Sequence, residues 1–162
     1  MISVMKLPPK RWKEYRTLRL EALKNDPTAF GSSHEEDIRL PPKEWKRRIR
    51  SVLFALVDNK PIGMIVLHFE SKIKTKHIAN IYGVYVKNEY RNLGIGTKLL
   101  ESAISLAKKN KGTIKIDLNV NPKQKAAVNL YKKYDFKPVG ILKKDLCING
   151  KFYDEMIMEK IL

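Results

Sequence analysis

Val86-Lys87-Asn88-Glu89-Tyr90-Arg91-Asn92-Leu93-Gly94-Ile95-Gly96-Thr97-Lys98-Leu99-Leu100 is the stretch whose reading decides the fold. An alternating strand runs up to Val86 and a glycine-bearing turn follows. Apolar residues at Leu99, Leu100, Ala103, Ile104 and Ala107 then mark one face of a helix. The first N–H groups of a helix have no partner inside it and sit at the positive end of its dipole. Gly94 and Gly96 carry no Cβ, so the chain can turn sharply and let an anion approach the amides of residues 92–97. Arg91 adds positive charge at the rim. This is a loop suited to a pyrophosphate.

The spacing narrows the ligand. A nucleotide-hydrolase phosphate loop needs four residues between its glycines and then Gly-Lys-Ser/Thr, whereas Gly96 is followed by Thr97 and Lys98. A dinucleotide loop needs a third small residue three positions after the second glycine, where Leu99 stands. Arg-x-x-Gly-x-Gly between a strand and a long helix instead resembles the acyl-CoA-binding motif of the GNAT superfamily of N-acetyltransferases. The resemblance implies acetyl-CoA as cosubstrate, with Arg91, Asn92, Leu93, Gly94, Ile95, Gly96 and Thr97 around its phosphates. It also implies an α/β (α+β) fold: a mixed, mostly antiparallel sheet with a central splayed parallel strand pair, flanked by helices. In such a fold the pantetheine arm lies in the splayed gap, against backbone groups of Val84, Tyr85 and Val86.

Residues 121–136 resemble the family's Asn-x-x-Ala-x-x-Leu-Tyr-x-x-x-Gly-Phe segment, with Gln124 at the Asn position and Asp135 at the Gly position. Asp tolerates a left-handed backbone at modest cost. Tyr131 matches the tyrosine that points its hydroxyl at the CoA sulfur and protonates the departing thiolate; a purely packing role is the alternative. The phrase LRLEALKNDPTAFGSSHEED resembles the segment forming one wall of the acceptor cleft, which makes Phe30, Glu35, Glu36 and Asp37 candidates to meet a cationic amine. The competing reading is an acidic helix start that complements the helix dipole. Some relatives carry a glutamate base eleven residues before the loop arginine, and Asn80 stands there. An amide is no base, so Asn80 and Tyr82 are read as acceptor-binding, with Tyr82, His77 or Glu35 acting through water as substitutes.

The remaining elements follow from periodicity. Strands are expected at residues 2–6, 52–58, 62–71, 78–86, 113–120, 137–148 and 152–161. Helices are expected at 10–24, after 33, at 43–50, from Gly96 to Gly112 and after Pro122. In 78–86, Ile78, Tyr82, Val84 and Val86 would share one face and Ala79, Ile81, Gly83 and Tyr85 the other, which suits a central strand. Asn149-Gly150 is a strong hairpin signal.

At 162 residues one domain, 1–162, is expected. The longest apolar run, 62–69, is far below the roughly 18 residues a bilayer requires, and MISVMKLPPKRW lacks a signal pattern. A soluble cytoplasmic protein without membrane attachment is therefore expected. The single cysteine, Cys147, forms no internal disulfide, and with only three histidines no metal site is implied. The 33 Lys and Arg against 17 Asp and Glu give +16, more than CoA phosphates need, so an acidic protein or nucleic acid is a rival partner.

Function is thus read as direct attack of a neutral amine on acetyl-CoA. A small amine such as a polyamine or amino acid is the first acceptor, and a protein N-terminus or lysine the alternative. From another class, the chain could be a CoA-fold module that binds RNA or the ribosome. The resemblance is compatible with a homodimer through the C-terminal strands.

Overall fold

The computed structural model describes residues 1–162. Seven strands form one sheet: β1 (Ser3–Lys6), β2 (Val52–Val57), β3 (Lys60–Phe69), β4 (Ile78–Val86), β5 (Lys115–Val120), β6 (Lys137–Ile148) and β7 (Lys151–Ile161). Their spatial order is β1-β2-β3-β4-β5-β7-β6. Every neighbouring pair is antiparallel except β4 and β5. Five helices accompany them: α1 (Trp12–Asn25), α2 (His34–Asp37), α3 (Pro42–Arg48), α4 (Ile95–Lys109) and α5 (Lys125–Lys133). No helix is long and apolar enough to cross a membrane.

The two faces of the sheet hold separate cores. On one, Leu99, Leu100 and Ala103 of α4 and Val128 and Tyr131 of α5 pack on Ile65, Ile81, Ile116 and Met158. On the other, Tyr15 and Leu18 of α1 and Trp45 of α3 pack on Phe54, Met64 and Tyr85. Tyr15 meets Trp45 edge-on with ring centroids 5.3 Å apart, and the Trp45 indole donates to the Leu40 carbonyl. The indole N–H is thus satisfied at zero exposure.

β4 is central, as a strand apolar on both faces should be, but its expected face assignment needs correction. Between the pairs Met64↔Tyr85 and Val66↔Tyr82 one extra residue is inserted on β4, so Gly83 and Val84 stand opposite Ile65 alone. This bulge reverses the side-chain alternation. Ala79 and Ile81 point into the α4 core, whereas Tyr85 joins the α1 core and Val84 and Val86 take the α4 side. Gly83 has φ +53°, and a Cβ there would lie 2.8 Å from Arg19 Nη1 and 3.2 Å from Phe30 Cε1. Only glycine meets both demands.

A second irregularity lies in β6. Between Leu142↔Glu155 and Leu146↔Tyr153, β6 advances four residues while β7 advances two. Lys144 adopts φ +54° in this bulge. Asp154 closes it: one carboxylate oxygen accepts from the Lys144 amide at 2.9 Å and the other from Lys143 Nζ at 3.2 Å. These partners hold the Asp154 carboxyl below its ordinary range, the Lys144 amide most of all. The β6–β7 turn has φ +51° at Asn149 and +75° at Gly150, the two left-handed residues an Asn-Gly hairpin requires.

Candidate active site

The parallel ladder of β4 and β5 runs only from Ile78↔Lys115 to Ile81↔Leu118. Beyond Ile81 the strands part, and the β5-facing edge of β4 from Tyr82 to Val86 has no strand partner. The gap opens into a cleft of about 910 Å³. Backbone donors and acceptors on that edge are available to an extended amide-bearing ligand. The Tyr85 side chain is elsewhere: it is buried under α1, donates to Glu21 and accepts from Asn25. Burial is the main cause that pushes its phenol up to about 12.

At the mouth stands the start of α4. Its cap, Gly94, has φ +75° and supplies no side-chain hydrogen bond, and the first intrahelical bond is Lys98 N–H to Gly94 O. The amides of Ile95, Gly96 and Thr97 therefore have no partner within the helix. Asn92 is also left-handed, at φ +62°. Asn92, Leu93 and Gly94 are exposed, whereas Ile95 is buried in the α4 core and can offer only its backbone. Arg91 is the loop residue that lines the cleft. Its guanidinium is braced inside the chain, donating to Val86 O at 3.0 Å and to Asp26 at 2.7 Å. Gln124, at the α5 N-cap, donates to Thr28 at 3.0 Å and ties α5 to the loop after α1.

Tyr131 lines the cleft with only 6% exposure, its ring edge-on to Phe136 at 5.9 Å. Burial alone pushes its phenol up to about 12, with no hydrogen-bonding or charged neighbour contributing. The hydroxyl is thus a protonated donor without an acceptor in the chain.

The structure divides the expected acceptor residues. Phe30 and Tyr82 line the cleft. Phe30 is buried beneath the Arg19 guanidinium, 4.6 Å from its ring centroid. Burial, then Glu70 and Asp117, push the Tyr82 phenol up, which disfavours it as a base. Glu35 is exposed on α2, outside the cleft lining, and Glu36 is spent on the capping box with Ser33. Asp37 is 1% exposed and meets Arg19 Nε at 3.1 Å and Arg48 Nη1 at 3.3 Å. Two guanidiniums already neutralise it, so the acidic start of α2 is structural here. Asn80 donates to Glu70 at 2.9 Å and, like His77, lies outside the lining.

Other residues take their place. Arg19, Arg47 and Arg48 line one wall, brought by α1 and α3 from the β2–β3 half of the molecule. Glu44 accepts from Arg47 and Arg48, which hold its carboxyl at about 2. Three arginines against Asp37 and Glu44 leave this wall one positive charge. Asp145 of β6 and Glu155 of β7, with Asn119 of β5, line the cleft from the other half of the sheet. Burial first, then the Asp145 charge, push the Glu155 carboxyl up, with Asn119 opposing. The hairpin carrying this pair was legible from Asn149-Gly150, but nothing in its alternation marks the bulge that places Asp145 in the cleft.

The chain is similar to known proteins. The model of the acetyltransferase (GNAT) family matches residues 13–136. The L-amino acid N-acetyltransferase AaaT of Escherichia coli is 26% identical over 122 residues, covering 72% of this chain and 75% of its own. An N-alpha-acetyltransferase of Sulfurisphaera tokodaii is 32% identical over 99 residues, 55% of this chain and 58% of its own. Among solved structures, a GNAT-family acetyltransferase from Streptococcus pneumoniae superposes with TM-score 0.88 and 26% identity over the whole of both chains. The protein yncA of Salmonella typhimurium, solved with its cofactor acetyl-CoA, shares the fold at TM-score 0.84 and 14% identity, over 100% of this chain and 94% of that one.

Proposed function

The chain belongs to the acetyltransferase (GNAT) family, and from that premise we propose that it transfers an acetyl group from acetyl-CoA to the primary amine of a small, amino-acid-like acceptor. The charge division of the cleft carries the acceptor reading. An amino acid presents an ammonium and a carboxylate a few ångströms apart. The cleft presents Asp145 and Glu155 on one wall and the arginine wall on the other. A polyamine has no group for the arginines. The amino-acid acetyltransferase AaaT among the relatives supports the same class.

In this reading the amides of Ile95, Gly96 and Thr97, with the left-handed Asn92 and Gly94 and the exposed backbone of Leu93, hold the pyrophosphate. Arg91 braces the loop to the end of β4, and Gln124 steadies the α5 side. Backbone groups of Val84, Tyr85 and Val86 receive the pantetheine arm as an added edge. Acetyl-CoA brings an acyl carbon activated by its thiolate leaving group. An N–H at the β4 bulge polarises the acetyl carbonyl where negative charge develops.

Tyr131 serves the leaving sulfur. Proton transfer from a phenol at about 12 to a thiolate of ordinary basicity is uphill by roughly 5 kcal/mol. Tyr131 therefore acts chiefly as a hydrogen-bond donor whose contribution grows as the sulfur becomes negative. Tyr131→Phe is expected to lower kcat by about a hundredfold, while the acetyl-CoA Kd from calorimetry stays within about threefold, as uniform binding is untouched. An unchanged kcat would return Tyr131 to a packing role.

The acceptor is tested by thiol release from acetyl-CoA with free amino acids, their C-terminal amides, polyamines and short peptides. Free amino acids are expected to exceed their amides in kcat/KM by at least about tenfold, the worth of one charge-assisted contact. Preference for amides or polyamines would overturn the arginine wall's role. A second reading, acetylation of protein N-termini, is favoured by the +16 charge and by the N-alpha-acetyltransferase relatives. Peptides outpacing free amino acids would establish it.

A further inference from the structure

We propose that Glu155 is the base that takes the proton of the acceptor ammonium, and that the β6 bulge places Asp145 beside it as a second negative charge. The inference rests on the amine-acetylation reading and gives it the base that neither Asn80 nor the α2 carboxylates supply.

Three observations converge on Glu155. It lines the same cleft as the buried Tyr131, whose hydroxyl has no partner in the chain, so a proton-accepting and a hydrogen-bond-donating group open onto one space. Neither Glu155 nor Asp145 is paired with a lysine or arginine, although lysines stand close by: Lys143 of β6 goes to Asp154, and Lys115 of the neighbouring β5 to Glu159 and Asp117. A carboxylate pair left free of cations in a chain of net charge +16 is reserved for a cation from outside. Finally, the bulge is actively held, by Asp154 accepting from Lys144 N–H and Lys143 Nζ. Regular pairing through 143–145 would reset the register that brings Asp145 to the cleft.

Burial and the Asp145 charge shift Glu155 toward the range in which a carboxylate accepts a proton from an ammonium usefully. Asn119 of β5 acts on it as a hydrogen-bond partner that opposes the shift, and Tyr82 of β4, His68 of β3, Lys125 of α5, Arg19 of α1 and Arg47 and Arg48 of α3 line the same space. In the step, Glu155 takes one ammonium proton and passes it to solvent. The freed nitrogen pair forms the C–N bond, the C–S pair leaves on sulfur, and the second nitrogen proton is the one the thiolate finally acquires. The products are an amide, a thiol and one released proton.

The test uses Glu155→Gln and Asp145→Asn in the full chain, with kcat/KM against pH, calorimetry of acetyl-CoA and thermal unfolding. Glu155→Gln is expected to lower kcat/KM by about 10²–10³-fold and to remove the acidic limb of the pH profile, with acetyl-CoA affinity kept. A carboxylate raised in the fold costs stability above its unfolded value near 4.5. The melting temperature of Glu155→Gln at pH 7 should therefore hold or rise, where a structural residue would lose it. Asp145→Asn should move the acidic limb to lower pH, since it removes a negative charge that raises the Glu155 carboxyl. Wild-type turnover with both variants unchanged would overturn the base alone. Wild-type binding of acetyl-CoA without acetylation of any amine would overturn the acceptor reading and the base with it.

Discussion

Asp37→Ala is expected to lower the free energy of unfolding by about 3–5 kcal/mol, the cost of leaving buried charge without its partner. Asp37 is 1% exposed and is the meeting point of Arg19 and Arg48. Arg19 is itself 8% exposed and has no other carboxylate. For a chain of this size that loss corresponds to roughly 6–20 °C in melting temperature. Asp37→Asn should cost less, since one amide oxygen still accepts. Function should suffer along with stability. Arg19 is stacked on Phe30 and donates to Ser32 at 2.8 Å, so its release disorders the wall against which the acceptor would sit. Chemical denaturation at pH 7 measures the first effect and the acceptor KM the second. A loss under 1 kcal/mol would show that the two guanidiniums find water when Asp37 is gone.

Gly94→Val and Gly96→Val, made singly and together, are expected to weaken acetyl-CoA by about 10²–10⁴-fold, the worth of two charge-assisted hydrogen bonds from the first turn of α4. The two positions should differ in stability. At Gly94 space is open, but φ +75° is foreign to a β-branched residue, so strain of about 1–2 kcal/mol accompanies the loss. At Gly96 the backbone is helical and a Cβ would meet Leu130 Cδ2 at an ordinary 3.6 Å. Gly96→Ala should therefore fold almost normally, and its affinity isolates the close approach of phosphate from backbone strain. Calorimetry on both variants decides it. Unweakened binding would place the pyrophosphate away from this turn.

Legibility from sequence tracked the range of the interaction concerned. The loop at 91–96, the α4 stripe and the Asn149-Gly150 turn are governed by neighbours a few residues away, and each stands where the residues imply. Asp135, at φ +65°, likewise takes the left-handed place of a glycine. What misled was set by distant partners. The acidic run 35–37 looks available to a cation until Arg19 and Arg48, 18 and 11 residues from Asp37, are brought against it. Tyr85 takes the face opposite to the one simple alternation implies, because alternation assumes an unbroken strand and the bulge depends on how β3 pairs. Glu155 and Asp145 carry no local signal as a pair, because their meeting requires Asp154 to hold an irregular register.

The reversal of alternation at Gly83 also sets what changes of length the chain tolerates. Removing Gly83 would leave Val84 alone opposite Ile65 and keep the pairs Met64↔Tyr85 and Val66↔Tyr82, so Tyr85 would stay with Asn25 and Glu21 and Val84 and Val86 on the α4 side. A residue added between Ala79 and Tyr82, where the pairing is regular, has no such slack, since it would turn the positions on one side of it to the opposite face. In the charged segment between β3 and β4, residues 71–74 are exposed; a residue gained or lost there alters only a turn. Insertions and deletions among viable variants should therefore collect at residues 71–74 and be missing from the regularly paired residues 79–82, with the bulge at Gly83 the place in β4 where a loss keeps the faces.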